Sequence, residues 1–252
     1  MPTINEVTNL EVESNIAVLT LNSPPVNALS ANVREGLHIG VKQAIEDENV
    51  QAVVLICEGR TFIAGADITE FGQAPKGPSL FEVQDMIEDS PKPVISAIHG
   101  TALGGGLEVA LTCHYRIAVP SARCGLPEVN LGLLPGAGGT QRLPRIVGAQ
   151  KALEMVTSGQ HVPAKQCLEM GLIDELANEE FGILERPSVM VPALVIGAAA
   201  LGAVAVSLLA MGLAMKLAAP FVKAVFGGIA KIISSIGKVI KVVAGAIVQL
   251  ME

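Results

Sequence analysis

The apolar pattern begins with a β-rich run at residues 15–22 (NIAVLTLN), which Ser23-Pro24-Pro25 stops. Ser30 predicts a helix start, because its hydroxyl can accept from a free N–H of the first turn. Val33, Leu37, Val41, Ala44 and Ile45 then fall on one helical face. Ala52–Cys57 (AVVLIC) is apolar throughout, as a strand covered on both faces would be, and Glu58-Gly59-Arg60 turns the chain. A helix is expected over 81–87, ended by Pro91 and Pro93, and a second buried strand over Val94–Ile98. Gly104-Gly105-Gly106 leads into a helical stretch at 107–113. A strand follows at 115–119, then short helices at 151–158 and 164–171. Strands alternating with helical patterns predict an α/β domain with crossover connections. No tandem repeat interrupts the alternation.

Composition changes this picture at one end of the chain. Of the 252 residues, 50% are hydrophobic, 16% charged and 3% aromatic, with a mean hydropathy of +0.53. The apolar residues are concentrated: Arg186 and Lys216 bracket 29 residues, 187–215, without a charge. Residues 1–185 hold 11 Lys+Arg against 23 Asp+Glu, whereas 186–252 hold 6 against 1. The reading is therefore a core at 1–180, a linker at 181–192 and an apolar, all-helical, cationic tail at 193–252. Residues 193–215 would span about 34 Å as a helix, enough for a bilayer core. In the stretch 221–250, Lys223, Lys231, Lys238 and Lys241 fall within an arc of about 80°, the pattern of a cationic amphipathic helix suited to an anionic membrane surface. Three readings of the tail stand side by side: membrane contact through 193–250, burial within a homo-oligomer, or fusion to an unrelated segment.

Other classes are excluded. An acidic body with few aromatics lacks the clustered Lys and Arg that nucleic acid requires, so no nucleic-acid partner is expected. Cys57, Cys113, Cys124 and Cys167 have neither C-x-x-C pairing nor zinc spacing and read as reduced core thiols. His38, His99, His114 and His161 form no H-E-x-x-H and read as solvated or core side chains, so no metal is expected. Residues 1–13 are polar and acidic, unlike a secretory signal, and the chain does not end in S-K-L. The expected location is cytoplasmic, with membrane association through the tail. Neither a G-x-x-x-x-G-K-[ST] phosphate loop nor the G-x-G-x-x-G of a nicotinamide-binding domain occurs.

Two glycine-rich segments and two carboxylates remain. Phe62-Ile-Ala64-Gly65-Ala66-Asp67 and Gly100-Thr-Ala-Leu-Gly104-Gly105-Gly106-Leu-Glu108 both offer backbone that a ligand can approach closely. The second opens a helix, where free N–H groups and the helix dipole favour negative charge; two such N–H groups aimed at one point would form an oxyanion hole. The alternative is that these glycines only permit tight packing. Glu108 and Glu128 each stand among apolar residues. Burial there is costly unless the carboxyl is paired or employed, and it would raise the pKa toward a useful acid–base value. The alternative is two ordinary surface glutamates.

From about residue 15 to 176, the chain resembles the enoyl-CoA hydratase/isomerase (crotonase) family. The matching pieces are Asn22-Ser-Pro-Pro-Val-Asn-Ala28, Phe62-Ile-Ala-Gly-Ala-Asp67, Ala97-Ile-His-Gly-Thr-Ala-Leu-Gly-Gly-Gly-Leu-Glu108, Gly125-Leu-Pro-Glu128 and Leu131-Gly-Leu-Leu-Pro-Gly-Ala-Gly-Gly-Thr-Gln-Arg-Leu-Pro144. The wording is nearest to the hydratase half of multifunctional fatty-acid β-oxidation enzymes. The resemblance implies a crotonase-like α/β core of turned strand–helix units. It implies hydration of a 2-trans-enoyl-CoA to a 3-hydroxyacyl-CoA, with double-bond isomerisation as a related outcome. It casts Glu108 and Glu128 as the catalytic carboxyls and the Ala66 and Gly105 N–H groups as the oxyanion hole. Ala64, Gly65, Asp67 and Gly104 become substrate contacts, and Gly136 to Thr140 shapes the loop near the second glutamate. The acyl-CoA thioester is the substrate, no cofactor is implied, and a homo-oligomer is allowed. The family's charged C-terminal helices, which complete its active site, have no counterpart in 193–252. The rival readings are therefore a membrane-binding or membrane-permeabilising protein, or a fusion chain, with an inactive crotonase-like half, and an inactive coenzyme A-binding relative.

Overall fold

The structure, a computed structural model, describes residues 3–13 and 15–177. The expected linker at 181–192 and tail at 193–252 lie outside the described residues.

The sheet is built around strands whose sequences contain almost nothing but apolar side chains. β3 (Ile16–Leu21), β4 (Ala52–Cys57), β5 (Val94–Ile98) and β7 (Tyr115–Ala118) lie side by side and parallel, with Ile16 opposite Ala52, Val53 opposite Val94 and Ile95 opposite Tyr115. Every residue of β4 and β5 is buried, because helices or loops cover both faces. Between these strands run α1 (Ala31–Glu46), α2 (Leu80–Glu88) and α3 (Gly105–Thr112), the crossovers that parallel pairing requires. β10 (Glu175–Leu176) adds a short parallel edge beside β7.

α1 forms as the sequence predicts. The Ser30 side chain accepts from the Val33 N–H, and Val33, Leu37, Val41 and Ala44 are buried, with Ile45 partly so. Gly36 and Gly40 complete that face. A methyl group on either would run into Thr8 or Leu19, so the helix needs glycine there to lie close to the sheet.

Several elements differ from the sequence reading. β1 (Thr3–Asn5) and β2 (Thr8–Glu13) extend the sheet in antiparallel fashion beyond β3, giving the order β1-β2-β3-β4-β5-β7-β10. Thr8 and Leu10 point inward from β2, while Asn9 and Glu11 are only partly covered. α2 begins at Leu80, one residue ahead of the expected start. Ser79 and Glu82 form a reciprocal capping box that satisfies two otherwise free N–H groups. α3 begins at Gly105 rather than 107. A further helix, α4 (Gly139–Val147), includes Pro144 and leads into α5 (Ala149–Ser158). A small second sheet joins β6 (Thr101–Leu103), β8 (Arg123–Gly125) and β9 (Val162–Pro163), and α6 (Ala164–Glu169) follows it. No described helix is long and apolar enough to cross a membrane.

Candidate active site

Three segments meet beyond the carboxyl ends of the parallel strands, where ligands of open α/β sheets bind. Residues 62–66 follow β4, Gly104 and α3 follow β5 and β6, and a 3-10 turn, Pro127–Leu131, follows β7 and β8. Backbone hydrogen bonds anchor the first segment on both sides. The Leu103 N–H donates to the Ile63 carbonyl at 3.0 Å, and the Leu29 N–H to the Gly65 carbonyl at 2.9 Å. The Gly104 N–H reaches the Gly125 carbonyl at 2.9 Å, which ties in the third segment.

The glycines permit these approaches. Gly104 has φ +52° and ψ −127°, a conformation that a side chain would strain, and a Cβ there would lie 3.2 Å from Glu128 Oε1. Gly106 abuts Ile63, whose carbonyl oxygen would collide with any Cβ. Packing and function are therefore not rival explanations of this triplet: Gly106 lets α3 seat against residues 62–66, and that seating places Gly105 beside Ala66. A Cβ on Gly105 would lie 3.6 Å from the Ala66 nitrogen. Among the described residues, neither the Ala66 nor the Gly105 N–H has a hydrogen-bond acceptor. Gly105 opens α3, so its N–H can have no partner within the helix.

Glu108 lies one turn into α3 and is 2% exposed. Its Oε1 accepts from the Ala137 and Gly139 N–H groups, both at 2.8 Å. Burial raises its pKa, while those two N–H groups and the Arg142 charge pull it back down. Glu128 stands on the 3-10 turn, half-buried, with an Oε2 that makes no hydrogen bond among the described residues. Its pKa is raised chiefly by burial and further by the Glu108 charge, against one lowering backbone contact. The two carboxyls thus sense one another.

Ala64, Gly65, Ala66, Gly104, Gly105, Glu108 and Glu128 all line one cavity of about 530 Å³. Leu29, Phe71, Leu80, Phe81 and Leu134 supply much of its apolar wall. Asp67 is not part of that lining. It caps the short turn Ile68–Glu70, accepting from the Thr69 N–H at 3.0 Å and the Thr69 hydroxyl at 2.7 Å, which holds its carboxyl below the usual range. The loop at 136–140 also has a different place from the one expected. It grips Glu108, the first glutamate, through Ala137 and Gly139. Arg34 was not singled out by the sequence, having no motif around it. It fastens the cavity wall by donating to Glu70 and to the Leu29, Lys76 and Pro78 carbonyls.

His99 and His114 serve the fold, the first against the Gly59 carbonyl and the second accepting the Val94 N–H. Among the described residues, no group of three His, Cys, Asp or Glu is arranged to hold a metal ion.

A family model described as enoyl-CoA hydratase/isomerase matches residues 11–187. The chain belongs to the enoyl-CoA hydratase/isomerase family. The match contains every residue of the site and ends short of the 193–252 tail. Similar proteins include the peroxisomal bifunctional enzyme of Danio rerio, 51% identical over 168 residues, 67% of this chain and 23% of that protein. A probable enoyl-CoA hydratase of Bacillus subtilis (strain 168) is 45% identical over 192 residues, 72% of this chain and 73% of that one. The enoyl-CoA hydratase of Bacillus anthracis, solved by crystallography, superposes with a TM-score of 0.65 at 33% identity, covering 74% of this chain and 75% of that one. The chain spans about a quarter of the length of the bifunctional relatives it matches. The crotonase-like α/β core is thus the family's fold.

Proposed function

We propose that the chain hydrates 2-trans-enoyl-CoA to 3-hydroxyacyl-CoA, a step of fatty-acid β-oxidation. The observation that carries the reading is a single juxtaposition. Two N–H groups without acceptors and two carboxyls, Glu108 buried and braced and Glu128 half-buried without a partner on Oε2, line the same apolar cavity. The thioester oxygen would accept from Ala66 and Gly105. Glu108, whose braces favour the carboxylate, would take a proton from water as its oxygen adds to Cβ. The developing enolate charge falls on the thioester oxygen, where the two N–H groups stabilise it more than they do the ground state. Glu128, raised by burial and by its neighbour's charge, would deliver a proton to Cα. Exchange of one proton between the two carboxyls through water restores both.

This scheme needs no cofactor, since water and the carboxyl pair supply every proton. The same enolate would serve double-bond isomerisation if the proton returned at Cγ. The Ala64 backbone would meet the coenzyme A arm, and Gly65 and Gly104 would allow the thioester to come close. Asp67 would contribute by holding the turn that follows. Loss of enoyl absorbance from crotonyl-CoA tests the reading; purified, folded protein that leaves crotonyl-CoA unchanged would sink it.

We also propose that residues 193–250 bring this enzyme to an anionic membrane surface from the cytosolic side. The support is the run of 23 uncharged residues at 193–215 together with the four-Lys arc. Four buried free thiols suit a reducing compartment. Full-length protein should float with anionic liposomes in a density gradient and a chain cut at residue 180 should not. High salt should weaken the binding without abolishing it, because burial of apolar surface dominates over about 1 kcal/mol per Lys. Full-length protein that stays in solution as a monodisperse oligomer without detergent would favour the homo-oligomer instead.

A further inference from the structure

Arg142 and Glu88 take no part in the scheme above, yet they connect to its best-held carboxyl through one residue, Ala137. Arg142 stands on the second turn of α4 and Glu88 ends α2. The guanidinium donates from Nε to both Glu88 oxygens at 3.2 Å and from Nη2 to Oε2 at 2.6 Å. Its remaining arm, Nη1, donates to the Ala137 carbonyl at 3.3 Å. Ala137 is the residue whose N–H holds Glu108 Oε1. One residue is thus gripped at both polar ends, its N–H by the carboxyl of α3 and its C=O by the guanidinium of α4.

Charge follows the same line. The Arg142 charge draws the Glu108 pKa down against burial, and Glu108 in turn helps to hold Arg142 protonated. The charged groups that act on this pair come from the 3-10 turn, from α2 and from just past the end of α3. Glu128 faces Glu108 from the 3-10 turn, Asp85 and Glu88 act on Arg142 from α2, and His114 lies within reach of Glu88. Arg142 is the cation among those named that acts on Glu108. Its fork geometry lets it hold a carboxylate and a carbonyl at once, which a lysine could not do as rigidly.

We infer that Arg142, braced by Glu88, is a positioning residue that fixes the Ala137 peptide against Glu108. The inference rests on the reading of Glu108 as the base, but its principal test does not depend on turnover. In full-length protein carrying 13C at the glutamate carboxyls, the Glu108 resonance is assigned by its loss in Glu108→Gln and followed through pH. Removing a nearby positive charge disfavours the carboxylate, so Arg142→Met should move the Glu108 midpoint to higher pH. The acidic limb of kcat/KM for crotonyl-CoA should move in the same direction. We expect kcat to fall about 10-fold with little change in KM, because misplacement of a reacting group costs rate more than binding. If the Met protein does not fold, Arg142→Gln keeps one donor for the Ala137 carbonyl and should give the same direction. A merely structural brace between α2 and α4 would lower the melting temperature and leave the Glu108 midpoint in place, and that result would overturn the inference. A parent protein that does not hydrate crotonyl-CoA would instead sink the functional reading and leave the titration unaffected.

Discussion

Glu108→Gln and Glu128→Gln should each lower crotonyl-CoA hydration at least ~100-fold, the usual scale for removal of a general acid or base. The amide is nearly the same size as the carboxyl, so the cavity keeps its shape. In Glu108→Gln the Ala137 and Gly139 N–H groups can still donate to the amide oxygen, and the protein should fold. What is lost is the proton acceptor. The pH dependence separates the two roles. Both carboxyls are raised by burial, so the ionised Glu108 is lost as pH falls through its raised value, and the protonated Glu128 is lost as pH rises through its own. The parent kcat/KM should therefore be bell-shaped, with both apparent values belonging to the coupled pair. Glu108→Gln should erase the acidic limb from the residual activity, and Glu128→Gln the basic one. Near-parental turnover in either variant, measured on folded protein, would show that the carboxyl in question does not carry the proton.

How much of this could be read from the chain depends on the range over which each signal acts. β4 and β5 announce themselves because a strand covered on both faces is almost wholly apolar, Ser96 being the one polar residue of the two, and α1 because its apolar stripe and Ser30 cap are local. The signal of β2 is weaker. Thr8 and Leu10 alternate with Asn9 and Glu11, yet the acidic character of residues 1–13 masked that period. α4 is harder to see, since Gly138-Gly139 and Pro144 break any helical pattern; the proline forgoes one donor six positions into the helix. β6, β8 and β9 have two or three residues each, too few to carry a period. At the site, Glu108 and Glu128 stood out because a carboxyl among apolar residues is costly. The grip on Glu108 did not, because it joins residues 29 and 31 positions apart through backbone N–H groups that any sequence possesses. Asp67 illustrates the converse. Its place in a family motif suggested substrate, whereas its side chain is occupied two residues on, at Thr69.

Gly105→Pro should abolish measurable hydration while leaving both carboxyls in place. Proline takes away the N–H at position 105 and leaves the Ala66 N–H as the remaining member of the donor pair. Loss of a single oxyanion donor costs roughly 100- to 1,000-fold, and the ring would add bulk where the thioester oxygen must sit. The substitution is tolerable to the helix, because position 105 is the first residue of α3 and makes no internal hydrogen bond there. Gly105→Ala separates the donor from the side chain. It retains the N–H, and its Cβ would meet a Leu29 methyl at 3.0 Å and the Leu80 side chain at 3.5 Å, groups that can shift slightly. The Ala protein should therefore keep most of its activity, with a modest rise in KM where the cavity narrows. Circular dichroism and melting temperature close to the parent's would establish that the Pro protein is folded. Folded Gly105→Pro that still hydrates crotonyl-CoA at the parent rate would place the oxyanion hole elsewhere. Equal loss in the Ala and Pro proteins would point to a requirement for space at residue 105 rather than for its N–H.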